Sequence, residues 1–279
     1  MNIQITADST CDLGPALISE HKILLLPLYV NMGEELCRDG VDASPDDIYA
    51  HADQGDSCST AAVNLADYMN FFSDLSRKND AVIHVCLGSG FSSCYQNAKL
   101  AAADFPNVYV VDSQNLSTGH GLVVLLASDL AAEGKSPEEI VSILSGTIPR
   151  VRASFVLSQL EYLRKGGRCS SLAALGANLL KIKPSIVVED GQMHVSKKYR
   201  GTMEHCLLQY VQEQLDGADV MPKRVFITHS GIDEALIEAV RQDLEKRGLF
   251  ESIHVTRAGC TISCHCGPGT LGVLFIAEE

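Results

Sequence analysis

Asp80-Ala81-Val82-Ile83-His84-Val85-Cys86-Leu87, Gly88-Ser89-Gly90-Phe91-Ser92-Ser93, Cys94-Tyr95-Gln96-Asn97-Ala98: this stretch decides the fold. Its first part is a short apolar run of strand type, its last part opens a helix, and a turn of glycine and serine joins them. A strand that feeds through such a turn into a helix leaves backbone N–H groups and hydroxyls aimed at one point, which favours an anion. The turn carries no lysine, so it is not the phosphate loop of the NTPases, which ends in Gly-Lys-Ser/Thr.

Outward from this unit, strand and helix patterns alternate through the first half. Strands are expected at Asn2 to Ala7, Ile23 to Val30, Ala81 to Leu87 and Val108 to Val111. Helix starts are marked by Ser44-Pro45-Asp46-Asp47, by Asn64 with Asp67, and by Ser136-Pro137-Glu138-Glu139, each a capping residue followed by an acid three positions on. Asn31 to Ala43 reads as a long loop. Strands separated by helices imply parallel pairing, with ligands at the carboxyl ends of the strands where the strand order switches. The second half has another rhythm. Lys183 to Ser196 reads as a hairpin around Asp190-Gly191, and helices are expected over Thr202 to Leu215 and Asp233 to Arg247. The expected architecture is α/β with two domains: residues 1–150 a parallel-sheet α/β/α domain, residues 151–279 a mixed α+β domain.

Composition narrows the function. The formal charge of −13 over 279 residues argues against non-specific nucleic-acid binding. No basic region precedes the first strand and no apolar run approaches the roughly 20 residues that span a bilayer, so neither a signal peptide nor integral membrane association is expected. Ten cysteines in a chain of this size read as reduced thiols in a cytoplasm.

Further constellations stand at predicted strand ends. In Ala7-Asp8-Ser9-Thr10-Cys11-Asp12, Thr10 and Asp12 read as helix caps, whereas site and cap are both open for Asp8 and Ser9. Thr60 lies in an extended segment ahead of Asn64. Ser92 and Ser93 compete to cap the helix, while the two glycines ahead of them suggest close approach by another group. Lys165-Gly166-Gly167-Arg168 precedes an apolar run of small residues, Cys169 to Leu180, that suits a buried helix or a wall for an apolar ligand. In Gly259-Cys260-Thr261-Ile262-Ser263-Cys264-His265-Cys266-Gly267-Pro268-Gly269 the spacing does not suit zinc, and His265 reads as a hydrogen-bonding or acid/base group in a rigid loop. No Gly-x-Ser-x-Gly elbow and no Gly-x-Gly-x-x-Gly after the first strand is present.

Together these pieces resemble the DegV family of bacterial fatty-acid-binding proteins. The resemblance rests on Asp8 to Asp12, Thr60, Ser89-Gly90-Phe91-Ser92 with Tyr95-Gln96, Val111-Asp112-Ser113 through Gly119-His120-Gly121, Leu163 to Arg168, Ile182-Lys183-Pro184, and His265-Cys266-Gly267-Pro268-Gly269. It implies a long-chain fatty acid held between two domains, with no other cofactor and no metal. Thr60 and Ser92 would grip the carboxylate, with His265 near the head group and Ser89, Gly90, Ser93, Asp8 and Ser9 around it. It further implies that the chain is a carrier, that a separate fatty acid kinase phosphorylates the carboxylate, and that Arg168 and Arg200 face the acyl phosphate or the kinase. The family often has Thr-Ser-x-Pro-Ser and Ser-Gly-Thr-Tyr where this chain has Thr60-Ala61-Ala62-Val63-Asn64 and Ser92-Ser93-Cys94-Tyr95. The alternative is an enzyme acting on a small carboxylate or phosphate through Asp8, Ser92 and His265.

Overall fold

The computed structural model describes residues 1–167 and 182–278. Its strands in chain order are β1 (Ile3–Asp8), β2 (Leu24–Leu26), β3 (Tyr29–Met32), β4 (Glu35–Arg38), β5 (Cys58–Ala61), β6 (Ala81–Cys86), β7 (Val108–Asp112), β8 (Val151–Val156), β9 (Lys183–Glu189), β10 (Gln192–Tyr199), β11 (Val220–His229), β12 (Ile253–Arg257) and β13 (Leu271–Ala277). The helices are α1 (Pro15–Glu20), α2 (Pro45–Asp53), α3 (Leu65–Ser76), α4 (Cys94–Ala102), α5 (Ser117–Ala132), α6 (Pro137–Thr147), α7 (Glu161–Lys165), α8 (Met203–Leu215), α9 (Glu234–Arg247) and α10 (Cys260–Cys266).

The α/β expectation holds. β2, β1, β6 and β7 form a parallel sheet in that order, and every residue of β6 is buried, as a strand covered on both faces requires. Helices α3 and α4 pack together beside it, as do α5 and α6. β10, β9, β8, β13, β11 and β12 form a six-stranded mixed sheet, antiparallel except for the β11–β12 pair. The capping signals are realised: Ser44 with Asp47 and Ser136 with Glu139 close full capping boxes, and Asn64 accepts from the Asp67 N–H. The Asp190-Gly191 turn has φ of 50° and 70° at its two residues, the left-handed pair that a two-residue hairpin needs.

Three local expectations are corrected. Ile23 to Val30 is not one strand: the chain breaks at Pro27, which has no N–H to continue the ladder, and β3 leaves for another sheet. Asn31 to Ala43 is not simply a loop. Gly33, at φ 63°, opens a two-residue turn that folds β4 back on β3, and β5 completes a three-stranded antiparallel sheet. Finally, the run ahead of Gly267 is the helix α10, so His265 stands in a last helical turn rather than in a loop.

Two packing arrangements position the site. Helix α5, apolar on nearly every side, lies between the two large sheets and touches β1 and β6 as well as β8, β11 and β13. One apolar cluster accordingly runs from Ile5 and Ile83 through Val124 to Phe155 and Leu274. Helix α10, late in the chain, packs against α2 and the small sheet early in it, burying Val30, Ile48, Cys260 and Cys264 together.

Candidate functional site

In the parallel sheet the strand order reverses between β1 and β6, and the site forms at their carboxyl ends. Asp8 ends β1. Its carboxylate accepts from the Leu87 N–H at 2.8 Å, the Tyr68 hydroxyl at 2.6 Å and His84 Nε2 at 3.2 Å, while His84 Nδ1 pairs with Thr6 Oγ1 at 2.8 Å. Burial alone would raise the Asp8 carboxyl; the hydrogen bond and charge of His84 outweigh it and hold the group below its ordinary value. Burial pushes the Cys86 thiol well up, and pushes Cys94 up to about 12, with the Asp8 charge adding to both. Asp8, His84 and Cys86 bring three possible metal ligands within 4.8 Å of one another. The carboxylate already serves three donors and both ring nitrogens of His84 are paired, so the cluster is a closed hydrogen-bonded network.

The turn after β6 divides into two parts. Gly88 and Gly90 are indeed places of close approach, but the approaching groups are backbone. A Cβ on Gly88 would lie 2.8 Å from the Asn115 nitrogen, and one on Gly90 would lie 2.1 Å from the Gly191 carbonyl at the tip of the β9–β10 hairpin. Ser89 is bound to Asp112 through both its N–H, at 3.0 Å, and its hydroxyl, at 2.5 Å. This first part is a structural joint. The second part opens on a cavity: Phe91, Ser92 and Ser93 line it with Leu87. Ser92 Oγ accepts weakly from the Cys94 N–H at 3.3 Å. Ser93, the residue ahead of α4, makes no side-chain capping bond.

Opposite stands Thr60, placed in β5 by pairing with Val30. Its Oγ1 lies 2.8 Å from His265 Nε2. Gly166 packs on the other side of that ring, where a Cβ would fall 2.1 Å from His265 Nδ1. Thr60, Ser92, Ser93 and His265 thus share one cavity with Thr261, and the remaining described lining is apolar, including Leu28, Leu116, Leu163, Met193 and Ile262. The empty space, open mouth included, is about 700 Å³. No Asp, Glu, Lys or Arg lines it among the described residues. A second apolar cavity shares Leu116, Ile262 and Cys266 with the first and continues toward Phe155 and Leu274.

Of the residues singled out in the sequence, Thr60, Ser92, Ser93 and His265 come together. Asp8, Ser9, Ser89 and Gly90 do not line the cavity. Asp8 is fully buried in the core network, Ser9 bridges the Leu28 N–H and Asp39, and Ser89 and Gly90 lock the turn. Arg200 is exposed at the end of β10. Arg168 and the run Cys169 to Leu180 lie outside the described residues. Asp12 caps no helix N-terminus: it closes the short 3-10 turn Ser9–Cys11 from its C-terminal end at a left-handed φ of 49°, and its carboxylate meets Ser117 Oγ at 2.6 Å and the Gly259 N–H at 2.9 Å. Thr118, in the first turn of α5, pairs with Thr228 at 2.5 Å. Thr261 escaped the sequence reading; its hydroxyl is buried in the cavity wall without a partner among the described residues. Had Gly259 to Cys266 been read as a helix, its position four residues before His265 would have placed it on the same face.

Residues 2–278 match the model of the DegV family, whose description reads "Uncharacterised protein, DegV family". A DegV domain-containing protein of Caldanaerobacter subterraneus subsp. tengcongensis is 35% identical over 280 residues, covering 98% of each chain. Among solved structures, a DegV family protein from Thermus thermophilus, described by its fatty acid binding, superposes with a TM-score of 0.93 at 30% identity, covering 99% of this chain and 100% of its own. DegV from Bacillus subtilis, described as a fatty acid binding protein, does so with a TM-score of 0.87 at 26% identity and 100% coverage of both.

Proposed function

The chain belongs to the DegV family, and on that premise we propose that it is a carrier that binds a long-chain fatty acid and presents its carboxylate to a separate kinase. One observation carries this reading: hydroxyls of Thr60, Ser92 and Ser93 and the His265 ring meet in a cavity whose other described walls are apolar and uncharged. Hydroxyl donors suit a single negative charge, which they hold by charge-assisted hydrogen bonds. A phosphate dianion calls for lysine or arginine, and none lines the described cavity. The start of α4 adds its N–H groups and its dipole on the same side.

The tail supplies most of the affinity. At ~0.8 kcal/mol per buried methylene, about fourteen methylenes yield roughly 11 kcal/mol before the costs of association. The route we assign to it passes Leu116, Ile262 and Cys266 into the second cavity. Residues 1–150 then supply Thr60 and Ser92, and residues 151–279 supply His265 and most of the tail's walls. Arg168 and Arg200 serve the kinase or the acyl phosphate. The competing enzyme reading needs Asp8 beside Ser92 and His265, yet Asp8 is buried with its oxygens committed to Tyr68, His84 and Leu87.

The test is Ser92→Ala against palmitate. Losing one donor to a charged acceptor should weaken binding roughly tenfold, and neither the parent nor the variant should convert palmitate and ATP to acyl phosphate without an added kinase. Turnover of a small carboxylate or phosphate by the chain alone, lost in Ser92→Ala, would contradict the carrier reading.

A further inference from the structure

Helix α10 supplies Thr261, Ile262, His265 and Cys266 to the cavity, yet it spans only Cys260–Cys266. A helix of two turns does not hold itself in water. Its N-cap is Gly259, which has no side chain with which to cap. The helix's leading N–H groups are nevertheless engaged, and each partner comes from the first half of the chain. Asp12 Oδ1 accepts from Gly259 N at 2.9 Å, Asp39 Oδ1 from Cys260 N at 2.8 Å, and Asp39 Oδ2 from Thr261 N at 3.3 Å. Both carboxylates are buried, Asp39 at 3% exposure and Asp12 at 6%.

The same two residues hold other walls of the cavity. Asp39 Oδ2 accepts the Ser9 hydroxyl at 3.0 Å, and Ser9 Oγ accepts the Leu28 N–H at 3.1 Å. The Asp39 N–H donates to the Leu28 carbonyl at 2.9 Å. Asp12 pairs with Ser117, which is held at a left-handed φ of 50° next to Leu116. Leu28 and Leu116 both line the cavity.

We propose that Asp39 and Asp12 are positioning residues for carboxylate capture: they fix the placement and rotation of α10, and so hold His265 against Thr60. Each residue of slip turns a helix by about 100°, which would carry the ring off Thr60 altogether. The acids do not touch the ligand. They act through His265, while Ser9 ties the same latch to Leu28.

This proposal rests on the carrier reading, and its test separates the two. The variant Asp39→Asn keeps the shape of the side chain but sets an N–H donor against backbone N–H groups. In the ligand-free protein, ring ¹⁵N spectra of His265 should lose the signature of the Thr60 hydrogen bond. Palmitate affinity should fall roughly tenfold while that of 1-hexadecanol, which has the same tail and no charge, changes within about twofold. The variant Ser9→Ala keeps both carboxylates and should shift both readouts in the same direction by less, and it stands in should Asp39→Asn fail to fold. Equal weakening of palmitate and 1-hexadecanol, or an unchanged His265 ring spectrum, would overturn the proposal. If the parent binds no palmitate, the carrier reading falls, and the ring spectrum still decides whether the acids position His265.

Discussion

His265 is held from three directions: Thr60 at 2.8 Å, the α10 backbone that carries it, and the bare face of Gly166. Gly166 has an ordinary helical φ of −70°, so its requirement is space, not conformation. Gly166→Ala would place a methyl group 2.1 Å from His265 Nδ1, and the ring would have to leave Thr60. Titration calorimetry should show palmitate affinity reduced roughly tenfold in a variant with its secondary structure intact; unchanged affinity would mean that the Thr60–His265 pair is not part of the clamp. At this scale a polar residue at a strand end was a signal of position but not of role. Thr60, Ser92 and His265, which line one cavity, were singled out together only through the family resemblance. Asp8 and Ser9 were misleading because a polar residue at a strand end can serve the core as readily as a ligand. What decided between the two were partners 60 to 79 positions away for Asp8, namely Tyr68, His84 and Leu87.

Between elements, the joint of α10 with the first half of the chain has its own pH dependence. Burial raises the Asp12 carboxyl to about 8, the Ser117 and Gly259 hydrogen bonds pull it down, and the Asp39 charge adds to the rise. A carboxyl raised on folding binds its proton more tightly in the native state. Its contribution is complete below the unfolded value near 4 and is lost as pH rises toward about 8. His120 runs the other way: burial lowers it to about 4, so its contribution grows as pH rises through the window up to its ordinary value of 6.5. A comparison with Asp12→Asn isolates the acid, because the amide mimics the protonated carboxyl toward both Ser117 and Gly259. Urea unfolding at successive pH values should show the parent losing stability relative to Asp12→Asn at up to about 1.4 kcal/mol per pH unit between pH 4 and 8. A pH-independent difference would contradict the assignment. None of this could be read from the element pattern. Asp12 looked like a cap because Ser, Thr and Asp cluster there, and its true partners, Ser117 and Gly259, are 105 and 247 residues on. The turn at Gly33 and the break at Pro27, by contrast, were present in the sequence as local signals, and they were obscured by an apolar run that continued across the proline.

Across the whole molecule, function follows from where two sheets and one short helix meet. The parallel sheet was legible because helices separate most of its strands and capping signals mark the starts of α2, α3 and α6. The mixed sheet was legible mainly through the Asp190-Gly191 hairpin and the spacing of its helices. The cavity was not: it is assembled from β5, the turn after β6, the residue before α5, α7, β10 and α10, and no local pattern encodes that convergence. Its described lining joins the hydroxyl side chains of Thr60, Ser92, Ser93 and Thr261 and the His265 ring to apolar walls. The most direct measurement is denaturing solvent extraction of the purified protein with mass spectrometry of the extract, followed by titration of the delipidated protein with palmitate and oleate. The account predicts recovery of long-chain fatty acid in near-stoichiometric amount, or saturable binding of at least one added acid. An extract free of fatty acid, together with no binding of either, would contradict it.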